Sequence, residues 1–159
     1  MEHLTGRCAC ERITYRLHRE PLIVHCCHCT SCQRETGTAF AINALIETAN
    51  VELLTGNPEK ILTPSESGRG QKIWRCPHCK VAVWSNYGGA KDLVHFVRVG
   101  TLDQARSITP DIHIYTRSKV PWVVLPEGAQ AVEEYYDVPS VWPPESLERR
   151  KAYMAELKA

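Results

Sequence analysis

Cys26-Cys27-His28-Cys29-Thr30-Ser31-Cys32 packs four of the chain's eight cysteines into seven residues. Within it, Cys27, Cys29 and Cys32 are spaced C-x-C-x-x-C. The other four form two distant pairs, Cys8/Cys10 and Cys76/Cys79. Cysteines this close in sequence are poorly placed to bridge one another but can grip a single ion. Two metal centres are therefore expected, one gathered from the distant pairs and one built on the triplet. The compartment supports this. Met1-Glu2-His3-Leu4 runs into polar sequence with no apolar leader segment, so a cytoplasmic protein is expected. There, close cysteine spacings mean metal or redox chemistry and disulfides seldom persist.

A chain of 159 residues is one ordinary domain, long enough to bury a core without staples. The formal net charge is +1 with acids and bases interleaved, which gives no electrostatic case for nucleic acid or an anionic membrane. No apolar run approaches the roughly 18 residues of a membrane span.

Short apolar stretches punctuated by glycine and proline predict a mainly β fold. Residues 4–17 read as two strands around the turn Gly6-Arg7-Cys8-Ala9-Cys10, with Ile13, Tyr15 and Leu17 alternating against polar neighbours. Residues 22–26 form an apolar run that ends in the cysteine cluster. Residues 30–36 suit a short helix stopped by Gly37, and 39–46 a buried strand. Residues 51–54 precede the turn Gly56-Asn57-Pro58. Residues 71–75 and 81–84 flank Pro77-His78 like the arms of a hairpin, and 93–99 and 112–115 look extended. Pro143-Pro144-Glu145 opens a helix to about residue 157. Its apolar stripe of Leu147, Met154 and Leu157 is thin, as on a helix lying at the domain surface.

Zinc favours four ligands in a tetrahedron, with thiolate a preferred donor. Cys8, Cys10, Cys76 and Cys79 would complete such a set, clamping the start of the chain to its middle. Four cysteines leave no position open, so this centre is structural. A redox dithiol at Cys76/Cys79 lacks the strand-to-helix setting of that chemistry. Lys80, directly after the second pair, is expected to offset part of the thiolate charge and to lie near Glu11, directly after the first. Cys27, Cys29 and Cys32 supply three thiolates. Spacing alone leaves two readings: a catalytic zinc whose fourth position takes water or substrate, or a closed centre completed by His25, Cys26 or His28. Cys26 otherwise reads as a small buried hydrophobe.

Gly6-Arg7-Cys8-Ala9-Cys10, Cys27-His28-Cys29-Thr30-Ser31-Cys32-Gln33-Arg34 and Cys76-x-x-Cys79 together resemble the family of glutathione-dependent formaldehyde-activating enzymes and centromere protein V. Thr36-Gly37-Thr38, Gly100-Thr101-Leu102-Asp103, Ile112-His113-Ile114 and Trp122 extend the match over about residues 3–125. The resemblance implies a β-tent fold of several small antiparallel sheets. It implies a zinc-binding β domain over 1–135, with 136–159 a C-terminal extension carrying the helix. It implies two zinc ions: a structural one on Cys8, Cys10, Cys76 and Cys79, and a catalytic one on Cys27, Cys29 and Cys32. The namesake activity, of carbon–sulfur lyase class, joins formaldehyde to glutathione as S-(hydroxymethyl)glutathione, so a small thiol and an aldehyde are the expected partners. Members commonly carry glycine after each structural pair, where Glu11 and Lys80 stand here; both tolerate a left-handed backbone poorly.

A glutathione carboxylate needs cationic or backbone partners. Arg34 is the first candidate because it follows the triplet closely; Lys72, Arg75, Arg98 and Arg117 are candidates by location. Trp74, Trp84, Phe96 and Trp122 read as core, and His113 as a hydrogen-bonded structural histidine. The competing function is a non-catalytic zinc module for protein or nucleic acid. Methionine sulfoxide reduction would need a reactive cysteine outside the metal centres, where Cys26 alone remains. The sequence leaves room for a homo-oligomer.

Overall fold

The computed structural model describes residues 3–158, without the side chain of Leu157, so that member of the expected stripe lies outside the described residues. The described chain is mainly β, with a short helix at the cysteine cluster and a longer one at the C-terminus. β1 (Leu4–Arg7) and β2 (Thr14–Leu17) form a hairpin. β5 (Val51–Thr55) joins β2 to complete a three-stranded antiparallel sheet. The larger sheet runs β10 (Ile112–Ile114), β3 (Ile23–Cys27), β4 (Ala41–Glu47), β9 (Val94–Arg98), β8 (Ala82–Tyr87), β7 (Gln71–Arg75), β6 (Glu59–Thr63). Its pairings are antiparallel except for β10, which lies parallel to β3. The extended run expected over 112–115 stops one residue early, because Tyr115 takes a left-handed backbone (φ 55°).

β3 and β4 are largely apolar because they are mostly buried on both faces. Along β4, Ala44 and Ile46 enter one core with Tyr15, Leu17, Trp84 and Val97. Ala41 and Leu45 enter a second with Ile23, Ile112, Tyr136, Trp142 and Tyr153. The first core lies between the sheets. Tyr15 meets Trp84 edge-on, with ring centroids 5.3 Å apart, and its hydroxyl lies 2.6 Å from Thr101 Oγ1. Gly6 sits opposite Tyr15 in the ladder. A Cβ there would come within 2.3 Å of the Tyr15 ring, so the position has room only for hydrogen.

The second core is closed by the C-terminal segment. After α2 (Val138–Val141), α3 (Pro144–Lys158) begins with proline and glutamate, as its sequence leads one to expect. The stripe of Leu147 and Met154 is only part of its anchorage. Tyr153 is buried, Ser146 Oγ donates to Leu22 O (2.7 Å), and Arg149 clamps Glu47 through Nε (2.8 Å) and Nη2 (2.5 Å). Polar bonds and one aromatic hold this helix to the sheet, a signal that apolar periodicity does not carry. Trp122, expected in the core, is 75% exposed.

Gly6→Ala should lower stability by about 1–3 kcal/mol, the usual cost of overpacking. Chemical denaturation monitored by tryptophan fluorescence at Trp84 checks this, with Gly100→Ala, where no atom crowds the site, as the neutral control.

Candidate metal centres

The first centre is made by two turns of the same design. In one, Cys8 N donates to Ile13 O (3.1 Å) and Glu11 N to Cys8 O (3.0 Å). In the other, Cys76 N donates to Val81 O (2.9 Å) and Lys80 N to Cys76 O (2.9 Å). Each turn is completed by the residue after its second cysteine, and that residue is left-handed: Glu11 at φ 61°, Lys80 at φ 63°. The glycine-type turn therefore survives without glycine, at about 1–2 kcal/mol per residue. The four sulfurs converge, all within 4.8 Å of one another. Cys10 Sγ lies 3.6 Å from both Cys8 Sγ and Cys76 Sγ, close to the edge of about 3.8 Å that zinc–sulfur bonds of about 2.3 Å would set in a tetrahedron. Each cysteine of the chain is free of disulfide bonds. Burial opposes ionisation of Cys79, yet backbone N–H groups of Val81 and Cys10, with the neighbouring thiols, hold it down at about 6. The donor set fits a thiolate-loving cation.

The two charges beside these turns do not meet. Lys80 Nζ reaches Glu59 across the sheet (2.7 Å) and Glu11 pairs with Arg7 (2.9 Å). Left-handed backbone throws both side chains outward, to 61% and 65% exposure, so the expected cover of the sulfurs by Lys80 is replaced by ordinary surface pairs.

The second grouping follows from the pleat of β3. Successive side chains point to opposite faces. His25 and Cys27 therefore face the second core, and Val24 and Cys26 the other side. The chain then turns into α1 (Thr30–Thr36), with Cys29 as its N-cap accepting from Cys32 N (3.2 Å) and Gly37 closing it in the left-handed region (φ 71°). This first turn carries Cys32 back to Cys27 and Cys29, and the three sulfurs lie within 4.8 Å of one another, all buried. Thiol hydrogen bonds from Cys27 and Cys32 bring Cys29 down to about 3, aided by backbone N–H groups of Cys32 and Ser31 against the effect of burial. The same hydrogen bonding, with burial, drives Cys27 upward.

No other Cys, His, Asp or Glu joins this trio among the described residues. His25 bonds to the Tyr136 hydroxyl and is held neutral by burial, its pKa lowered to about 3. Cys26 and His28 lie on the opposite face with His113. There His28 Nε2 is 3.5 Å from Cys26 Sγ and 2.9 Å from His113 Nδ1. Cys26 is buried, as expected, and His113 is a hydrogen-bonded histidine away from the trio.

What the trio faces is a cavity of about 470 Å³. Phe96, Tyr87, Tyr115, Tyr135, Trp142 and Tyr153 give it an aromatic wall. Of the cationic candidates read from sequence, none lines it. Cys32 points inward from α1, and Arg34, two positions on, is about 200° around the helix; it is exposed on a shallow groove with Trp122. Lys72 pairs with Asp92 and Arg117 with Glu66 and Glu134. Arg75 and Arg98 both bind Glu35 of α1, whose carboxylate is 6% exposed; Arg98 also donates to Asn43 and Arg75 to Lys80 O. The guanidiniums that do line the cavity are Arg69 and Arg150. His25, a candidate ligand by sequence, lines it too, and so does Tyr115, with its strained backbone; Tyr115 does not stand out in sequence because it arrives through the pairing of β10 with β3.

Thiol clusters at these spacings, set in paired sheets, define a mainly β protein whose cysteines could hold metal ions. The family model "Glutathione-dependent formaldehyde-activating enzyme" matches residues 3–118, and the chain belongs to that family. No curated protein matches it. It is also similar to a crystal structure of a Rhodobacter sphaeroides protein from a structural genomics programme, at 19% identity and TM-score 0.48, covering 67% of this chain and 91% of that one. No helix among the described residues is long and apolar enough to cross a membrane.

Purified protein should hold about two zinc ions per chain if each thiol group takes one. Elemental analysis of Cys29→Ser should find one, with the far-UV circular dichroism unchanged. Cys76→Ser should lose its fold along with its metal, since its centre joins segments 66 positions apart.

Proposed function

We propose that this chain is a zinc-dependent enzyme that adds a small thiol, such as glutathione, to formaldehyde or a related aldehyde, a carbon–sulfur lyase-type activity run in the direction of adduct formation. One observation carries the reading: three buried sulfurs share the floor of a half-open cavity large enough for a small molecule. A structural centre would close on itself, whereas this trio faces open space lined by aromatic side chains.

Cys27, Cys29 and Cys32 would hold the zinc, which when bound supplies a Lewis acid that favours thiolate over thiol. Sulfur of the substrate forms a bond to the carbonyl carbon as the C=O π bond opens, and the proton lost from sulfur ends on the new hydroxyl. The protein's part is to place the two reactants together and limit bulk water. The aromatic wall serves both ends. His25 is engaged by the Tyr136 hydroxyl, and in this reading the proton is exchanged with solvent at the cavity mouth.

Incubation with glutathione and formaldehyde should form adduct measurably faster than the spontaneous reaction, and Cys29→Ser should return the rate to background. Nuclear magnetic resonance of ¹³C-formaldehyde follows the adduct directly. No enhancement with any of several thiols would overturn the enzymatic reading.

A further inference from the structure

Two guanidiniums line the cavity, and both are left without a carboxylate. Among the described residues, ion pairs engage Arg75, Arg98, Arg117 and Arg149, but neither Arg69 nor Arg150. The one carboxylate in the lining, Glu66, is taken by Arg117 (3.2 Å) and lies 3.4 Å from Ser31 Oγ. Arg69 and Arg150 therefore have no carboxylate partner of the chain's own among the described residues.

Both arginines are placed by their surroundings. Arg69 lies over the Gly88–Gly89 turn. A Cβ on Gly89 would be 3.9 Å from its Nη1, and one on Gly88 3.7 Å from its Cβ, so the exposed side chain packs along this turn at the cavity's rim. Arg150 is carried by α3. The residue before it, Arg149, is clamped to Glu47, Ser146 is bonded to Leu22 O, and Tyr153 is buried in the second core. This docking fixes the helix and presents Arg150, Tyr153 and Met154 to the cavity together. The family match ends at residue 118, so Tyr135, Val138, Trp142, Arg150, Tyr153 and Met154 are supplied by a segment beyond it.

We propose that the cavity recognises a thiol or thiol adduct bearing a carboxylate, and that Arg150 of the C-terminal helix, assisted by Arg69, binds that carboxylate. A guanidinium presents parallel N–H donors in the geometry of a carboxylate, and the bond strengthens where aromatic walls exclude water. The inference rests on the thiol-binding reading of the cavity but not on turnover. Arg150 is a binding residue and takes no part in bond making at sulfur.

The test is calorimetry on the metal-loaded protein with S-methylglutathione, a thioether that cannot react, and its dimethyl ester. Wild type should bind the diacid about tenfold or more tightly than the ester, as a charge-assisted hydrogen bond implies. Arg150→Gln should erase that difference while binding the ester as wild type does, and Arg150→Lys should restore part of it. Arg69→Gln should show a smaller loss and serves as the second variant if Arg150→Gln does not fold. Equal affinity of wild type for acid and ester, or an acid preference that survives in both glutamine variants, would overturn the proposal. Acid preference without catalysis would overturn the enzymatic reading and leave this one standing; catalysis without acid preference would do the reverse.

Discussion

The alternation of side chains along β3 divides the molecule's chemistry. Five consecutive residues, Ile23–Cys27, are buried, so neither face of this strand meets water and each must be filled. One face receives Cys27 and His25 under the cavity; the other receives Cys26 and Val24. A shift of one residue in register would exchange the two sets. β4 and the parallel strand β10 hold the register from both sides. The turn after Cys27 then has a fixed starting direction, and α1 brings Cys29 and Cys32 back over it. The three sulfurs meet over a strand held on both sides and a helix start of fixed direction.

The part of this arrangement legible in sequence was the part encoded locally. Cysteine spacing picks out both thiol groups, since one or two intervening residues limit where a sulfur can go. Gly37 ends α1 where its freedom of backbone is needed. The strands around Pro77-His78 are visible because alternation and turn residues sit side by side. Lys80 and Glu11 were harder. Their ionic character suggests mutual attraction, yet in their turns the left-handed backbone decides where the side chains go, and each finds another partner.

The cavity was not legible because its walls come from everywhere. Phe96 and Tyr87 belong to neighbouring strands, Arg69 to a loop, and Tyr135, Trp142 and Arg150 to the far end of the chain. Proximity in sequence favoured Arg34, but helical periodicity turns that residue to the outside. Trp122 misled for a related reason: aromatic character marks core on average, whereas this one stands on the surface. The C-terminal helix carries too thin an apolar stripe to announce its docking, because Arg149, Ser146 and Tyr153 do most of the holding.

Glu35 ties the two thiol groups into one mechanical unit. Its carboxylate is enclosed between Arg75, which also holds the backbone of the Cys76–Lys80 turn, and Arg98, which reaches the cavity residue Asn43. The same residue sits on the helix that bears Cys32. Two guanidiniums around one buried carboxylate resist being pulled apart, because separation strands charge away from water. Collapse of the distant knuckle would slacken this strut and let the short helix drift from the strand. One buried carboxylate thus acts as a tie-rod between two cysteine groups that lie far apart along the chain.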